Sequence, residues 1–257
     1  MTRFRARWTA LLLAVGMYCL VFAARPSQAE ILTPPAMSFL VVDGVSTDWG
    51  WNQTGKALGG DVFSYNGNVT KTNYQFEWNI TADPDPWVNS NYTITNNTLT
   101  TNIYTVTVSL PIIPIPGSTL TGGSVQGGVT DNNGDGATLG QVGVTPLYMS
   151  LIDGVDFTPL LPPGTSSITV GPFLSGTVGP SSFGTPIPSL PGPAASTSIG
   201  IRLNFTLTPG DSASFTSVFV VEPVPEPASI AMASCGFAMV IGGVCWRRRR
   251  ARHSKQS

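Results

Sequence analysis

The sequence predicts an all-β protein: a single antiparallel β-sandwich of jelly-roll type, flanked by an N-terminal signal helix and a C-terminal transmembrane helix. Three observations predict it. Apolar and polar residues alternate with a period of two in several stretches, as half-buried antiparallel strands require. No stretch between residues 30 and 222 carries a helical period. The chain of 257 residues also holds 22 prolines and 28 glycines, which punctuate strands and break long helices.

In chain order, Ser38 to Val42 is a short apolar run closed by the turn signal Asp43-Gly44. Trp49, Gly50, Trp51 and Asn52 read as an aromatic loop. Tyr74, Phe76, Trp78 and Ile80 alternate with Gln75, Glu77, Asn79 and Thr81. The pattern returns at Tyr104 to Leu110 and again at Ile199 to Thr208, and Phe215 to Val221 makes a final strand. Two Pro-rich segments interrupt the series, Leu110 to Pro116 and Pro180 to Pro193. The second reads as a linker or a long surface loop. Too little chain follows it for an independent core, so Ile199 to Thr208 is expected to pair back into the main sandwich.

The two ends read as processing segments. Arg3, Arg5 and Arg7 form a positive n-region and Leu11 to Ala24 an apolar h-region. Ser27-Gln28-Ala29 places small residues where signal peptidase needs them, which makes residues 1–29 a signal peptide cut before Glu30. A cut after Ala24 and an uncleaved anchor are the competing readings. Residues 223–257 hold Pro225-Glu226-Pro227, an apolar run over 229–246, and Arg247, Arg248, Arg249 and Arg250. The prolines keep Glu226 in an extended segment. The run is roughly 27 Å long as a helix, enough for a bilayer core, and the arginines stay cytoplasmic under the positive-inside rule.

Order, spacing and position of these residues resemble the PEP-CTERM sorting signal of Gram-negative-type bacteria. The resemblance implies an exosortase that recognises Pro225, Glu226 and Pro227 while Arg247 to Arg250 form a retention block. It also implies passage through the secretion machinery, transient anchoring in the inner membrane, and a final place in the envelope, at the surface or outside the cell. Asn204 to Ser212, a strand entering a turn before the last strand, is similar to what many such proteins carry. They are mostly β-proteins of biofilm-forming bacteria that produce exopolysaccharide. An ordinary anchor after a Pro-rich stalk is the plainer alternative for the same residues.

The exported part, residues 30–222, has its own composition. Its bases are Lys56, Lys71 and Arg202 against thirteen acids, a net charge of about −10 that argues against nucleic acid. It has no cysteine, and it is long enough to bury a core without disulfides. The single histidine, His253, lies in the tail, so histidine-based triads, zinc sites and imidazole bases are excluded from the exported part.

Asp131-Asn132-Asn133-Gly134-Asp135-Gly136 carries the strongest site pattern. Asp131, Asn133 and Asp135 put oxygens at positions one, three and five, and Gly136 permits the tight turn of a calcium loop. The twelfth position is Val142 rather than glutamate, so calcium would need a distant donor such as Asp153 or Asp156. The alternative is a polar hairpin turn. Asp83 and Asp85 offer paired carboxylates for glycoside hydrolysis, against which Pro84 and Pro86 favour a rigid turn. Trp49, Trp51 and Trp87 would suit a sugar-stacking platform, whereas Trp78 alternates onto the core face. Asn-x-Thr triplets begin at Asn52, Asn68, Asn79, Asn91, Asn96 and Asn204 and read as Thr-rich strand composition.

The expectation is a non-enzymatic structural or adhesive protein of the envelope or exopolysaccharide matrix, with no cofactor beyond a candidate calcium ion. The alternative is a carbohydrate-active module, a lectin-like binder before a glycosidase.

Overall fold

The computed structural model describes residues 34–44 and 49–224. The expected signal peptide over 1–29, the expected sorting motif Pro225, Glu226 and Pro227, the apolar run over 229–246 and the block Arg247 to Arg250 lie outside the described residues. Among the described residues every regular element is a strand, and no helix is long and apolar enough to cross a membrane.

The strands form two antiparallel sheets. The first contains β1 (Ala36–Val42), β2 (Trp49–Thr54), β7 (Asn102–Pro111), β9 (Ala137–Gly140), β10 (Tyr148–Ile152), β11 (Val155–Leu160), β12 (Ile168–Val170) and β15 (Ser198–Leu207). The second contains β3 (Lys56–Gly59), β4 (Val62–Thr70), β5 (Tyr74–Asp83), β6 (Trp87–Asn96), β8 (Thr119–Thr130), β13 (Ser175–Phe183), β14 (Leu190–Gly192) and β16 (Ser212–Pro223). The first sheet runs β11-β10-β15-β7-β1-β2, with β9 pairing β15 and β12 pairing β9. The second runs β13-β8-β16-β6-β5-β4-β3, with β14 on β8.

The core lies between the sheets and is built by the alternation read above. Phe39 of β1 meets Trp78 of β5 at a ring-centroid distance of 5.2 Å. Phe205 of β15 meets Phe215 of β16 at 4.8 Å, and Tyr74 of β5 meets Tyr104 of β7 edge-on at 6.1 Å. Each aromatic side chain withdrawn from water at such a junction stabilises the fold by about 1.5–3 kcal/mol, and the ring pairing adds to that.

Three departures from the sequence reading have local causes. Trp49 to Asn52 is not a loop but most of β2, registered Phe39↔Trp51 and Val41↔Trp49 against β1. Its aromatic spacing of two is a strand period hidden by the intervening glycine. The segment over 180–193 is neither linker nor free loop, because Ser181 to Phe183 and Leu190 to Gly192 both pair with β8. Both pieces lie along the edge of the sheet, the place where a strand tolerates proline, as β14 does at Pro191. The Asp131–Gly136 turn does not close a hairpin: it carries the chain from β8 in the second sheet to β9 in the first. Ile199 to Thr208 does return to the main sheet, where β15 lies between β7 and β10.

Candidate functional site

Two polar clusters stand out, one at a corner and one on a sheet face. At the corner, Asp131 follows the last residue of β8 and is buried. Its Oδ1 accepts the backbone N–H groups of Asn133 and Gly134 at 3.2 and 3.0 Å. Its Oδ2 accepts those of Gly136 and Phe173 at 3.2 and 2.6 Å. Gly136 holds φ at 94°, the left-handed region that the loop pattern anticipates. The neighbouring corner between β15 and β16 is laced to this one. Asn132 N–H donates to Asp211 Oδ1, Asn133 Nδ2 donates to Pro209 O, and Thr208 Oγ1 donates to Asp211 Oδ2.

Carboxylate oxygens of Asp131, Asp135 and Asp211 lie within 4.8 Å of one another. The three offer oxygen ligands only, a donor set whose hardness suits calcium rather than zinc, while Asn133 Oδ1, the other oxygen of the sequence pattern, accepts the Asp135 N–H at 3.1 Å. Asp211 is the distant acid, a residue that sequence reasoning passed over because it belongs to another corner. Asp153 and Asp156, expected in that role, are engaged elsewhere. Asp153 accepts the backbone N–H groups of Ser196, Thr197 and Ser198, and Asp156 pairs with Arg202 at 2.7 Å. Burial works to raise the Asp131 carboxyl, but its four backbone donors outweigh that and hold it below the usual range. Burial, with Asp131 alongside, pushes Asp211 up. Position seven of the pattern continues into β9 and position twelve stays Val142, so the loop departs from the helix-flanked calcium motif.

The second cluster is a groove of about 730 Å³ across the outer face of the second sheet. The registers bring side chains from five strands into one transverse row: Asn66, Asn79, Asn91, Thr216 and Gln126. A parallel row holds Asn68, Glu77, Thr93, Ser214, Gly128 and Thr177. Adjacent members stand on strands about 4.8 Å apart. Glu77 is the one charged side chain in either row, where glycoside hydrolysis needs two facing carboxyls. Thr216 Oγ1 donates to Asn91 Oδ1 at 2.7 Å. The side chains of Asn66, Asn68, Asn79, Gln126 and Ser214 make no hydrogen bond to the protein among the described residues.

An aromatic nook adjoins the groove. Trp49, Trp51 and Trp78 line it with Val69 and Asn68, and Asn68 and Trp78 also line the groove. Trp51 is 46 % exposed while Trp78 is 4 % exposed, so the expected assignment of Trp78 to the core holds. The Trp49–Trp78 and Trp51–Trp78 centroids are 5.5 and 5.7 Å apart. Gln53 braces the cluster: its Oε1 accepts Trp78 Nε1–H at 2.7 Å and its Nε2 donates to Asn66 O at 2.9 Å. Gly67 pairs with Trp78, and a Cβ there would stand 2.5 Å from the indole, so no larger residue fits without moving the ring.

Asp83 and Asp85 form no carboxylate pair across a cleft. Asp85 N–H donates to Asp83 Oδ1 at 2.9 Å, the rigid turn that the prolines favour, at the hairpin between β5 and β6. Burial pushes Asp83 up, against that same hydrogen bond. Three of the six Asn-x-Thr asparagines, Asn68, Asn79 and Asn91, stand in the groove rows. Asn96 is instead buried and ties Leu207 O and Thr208 O to the turn after β6, and Asn204 accepts the hydroxyl of Thr105.

No protein-family model and no curated protein matches this sequence.

Proposed function

We propose that this protein is exported, sorted by an exosortase through Pro225, Glu226 and Pro227, and placed in the cell envelope or extracellular matrix as an adhesive or structural module. Its exported part works by holding a ligand on a sheet face, not by turning one over. The observation that carries this reading is the groove on the second sheet, a broad polar surface on which the amides of Asn66, Asn68, Asn79 and Gln126 make no hydrogen bond to the protein among the described residues. The acidic balance of residues 30–222 supports a hydrated extracellular setting. Signal peptidase, the secretion machinery and the exosortase are its transient partners, and matrix exopolysaccharide is the lasting one. A lectin-like module is the form of the alternative that the groove favours.

The test is mass spectrometry of the mature protein from its native host, with fractionation of envelope and medium. The expected product begins at Glu30 and lacks the peptide Ala251 to Ser257. Recovery of that peptide in the mature protein would overturn sorting at the triplet.

A further inference from the structure

We propose that the groove on the second sheet binds a neutral polysaccharide chain laid across the strands, with Trp51 closing over its end beyond β4. The inference deepens the adhesive reading by naming its ligand class, and it rests on that reading of the groove as a binding face.

Charge decides first. The groove carries one carboxylate, and Glu77 Oε1 is already engaged by Gln75 Nε2 at 2.7 Å. The cations lie elsewhere: Lys56 is on edge strand β3, Lys71 in the turn after β4, and Arg202 on the first sheet. An anionic glycan would meet no counter-charge there, inside a part of the chain that is itself acidic. A cationic one would find one occupied carboxylate.

Hydrogen-bonding capacity decides second. Asn66, Asn79 and Gln126 each present a free donor and a free acceptor, and Asn91, whose Oδ1 accepts the Thr216 hydroxyl, presents its amide N–H groups, a combination that a hydroxyl-rich chain can satisfy. Exposed amides are hydrated when free, so sugar hydroxyls replace water at little net cost. Strand spacing repeats the amides at about 4.8 Å, comparable with the advance of one sugar unit along an extended glycan. Asn89, two residues before Asn91 on the same face of β6, has a buried side-chain oxygen with no partner. The nook supplies the apolar half of sugar recognition, because the half-exposed Trp51 ring can stack on the carbon face of a pyranose.

The test is affinity electrophoresis of the full chain, in a non-ionic detergent without a sugar headgroup. The native gels contain hydroxyethylcellulose, galactomannan, xyloglucan, dextran or, as the anionic control, alginate. Retardation by at least one neutral polymer is expected, weakened roughly tenfold in Asn79→Ala/Asn91→Ala and in Trp51→Ala. The melting temperature of Asn79→Ala/Asn91→Ala should be unchanged. Gln126→Ala, at the far end of the row from Trp51, gives a second reading if Trp51→Ala fails to fold. No retardation by any neutral polymer, retardation by alginate alone, or equal retardation of all variants would overturn the proposal. A concentration-dependent dimer abolished by Asn79→Ala/Asn91→Ala would also overturn it, by assigning the face to a second copy. Because the gel reads the purified chain, its outcome is separate from sorting: intact C-termini in the host leave retardation untouched, and lost retardation leaves the mature ends untouched.

Discussion

The Asp131 corner and the second-sheet groove are both clusters of oxygen and nitrogen side chains, and they treat hydrogen bonds in opposite ways. At the corner, both carboxylate oxygens of Asp131 are taken by backbone donors, and the side chain is 3 % exposed. In the groove, amide groups face water and most bond to nothing in the protein. A buried polar group has to be paired, because leaving it unpaired costs about 1–3 kcal/mol. An exposed one is paired by solvent, so it is free to exchange that solvent for a ligand. The corner is therefore a device of the fold, and the groove is a surface that can work.

The largest expected effect comes from breaking the corner. Asp131→Ala strands four backbone donors where two sheets are laced together, and its thermal midpoint should fall by more than about 5 °C in a melt followed by circular dichroism. An unchanged midpoint would mean that the corner is as solvent-served as the groove, and the comparison would fail. Gly67→Ala comes next. Its new methyl group meets the Trp78 ring, so the fold should lose about 1–3 kcal/mol in urea unfolding and the tryptophan emission should shift. If emission and midpoint stay as they were, the nook is looser than its packing implies.

The corner should also be legible in acid. Asp131 and Asp153 are held below their ordinary value of 3.8, so their contribution is fully present above it and is lost as pH falls through the lower folded values. Asp211 is raised, so its effect has the opposite sign: stability declines as pH climbs through its folded value above 3.8. Melting temperatures from pH 2 to 6 should therefore drop steeply only at the acid end in the wild type. Asp153→Asn should flatten that limb, and Asp211→Asn should remove the weaker slope above it. A wild-type profile that falls between pH 4 and 6 by as much as it does below would contradict these signs.

Smaller still is the expected stability cost in the groove. Asn79→Ala and Asn91→Ala should each stay within about 0.5 kcal/mol of wild type in urea unfolding, since neither side chain holds the sheet together. A larger loss would make the row part of the fold. The smallest effect is assigned to calcium. Backbone donors already occupy both Asp131 oxygens, so melting in EDTA and in millimolar calcium should agree within about 2 °C; a clear rise with calcium would show that Asp135 and Asp211 turn onto an ion instead.

Much of the fold was readable residue by residue. The alternation of Tyr74 to Thr81, of Tyr104 to Leu110 and of Ile199 to Thr208 names both the strand and its buried face, because pleating converts a period of two into two sides. Trp49 to Asn52 escaped because glycine at the intervening position erased the polar half of the alternation. The groove was half visible: Asn68, Asn79 and Asn91 were noticed as Asn-x-Thr triplets, and Gln75, Glu77, Asn79 and Thr81 as an outward set. Nothing in the one-dimensional pattern brings Thr216 and Gln126 beside them, because those residues come from strands far apart in sequence, and Asn66 joins through the register of the β4–β5 pair.

The residues by themselves determined that the part between Glu30 and Glu222 is built of strands, which side of the alternating ones is dry, and that this part is acidic and free of cysteine and histidine. These follow from local properties: side-chain polarity, backbone preference and composition. Tertiary structure alone decided that Asp211 rather than Asp153 or Asp156 joins Asp131 and Asp135, and that five strands align four amides and a threonine into one row. Those are matters of register and of which corners meet, set by how two sheets bury a common core.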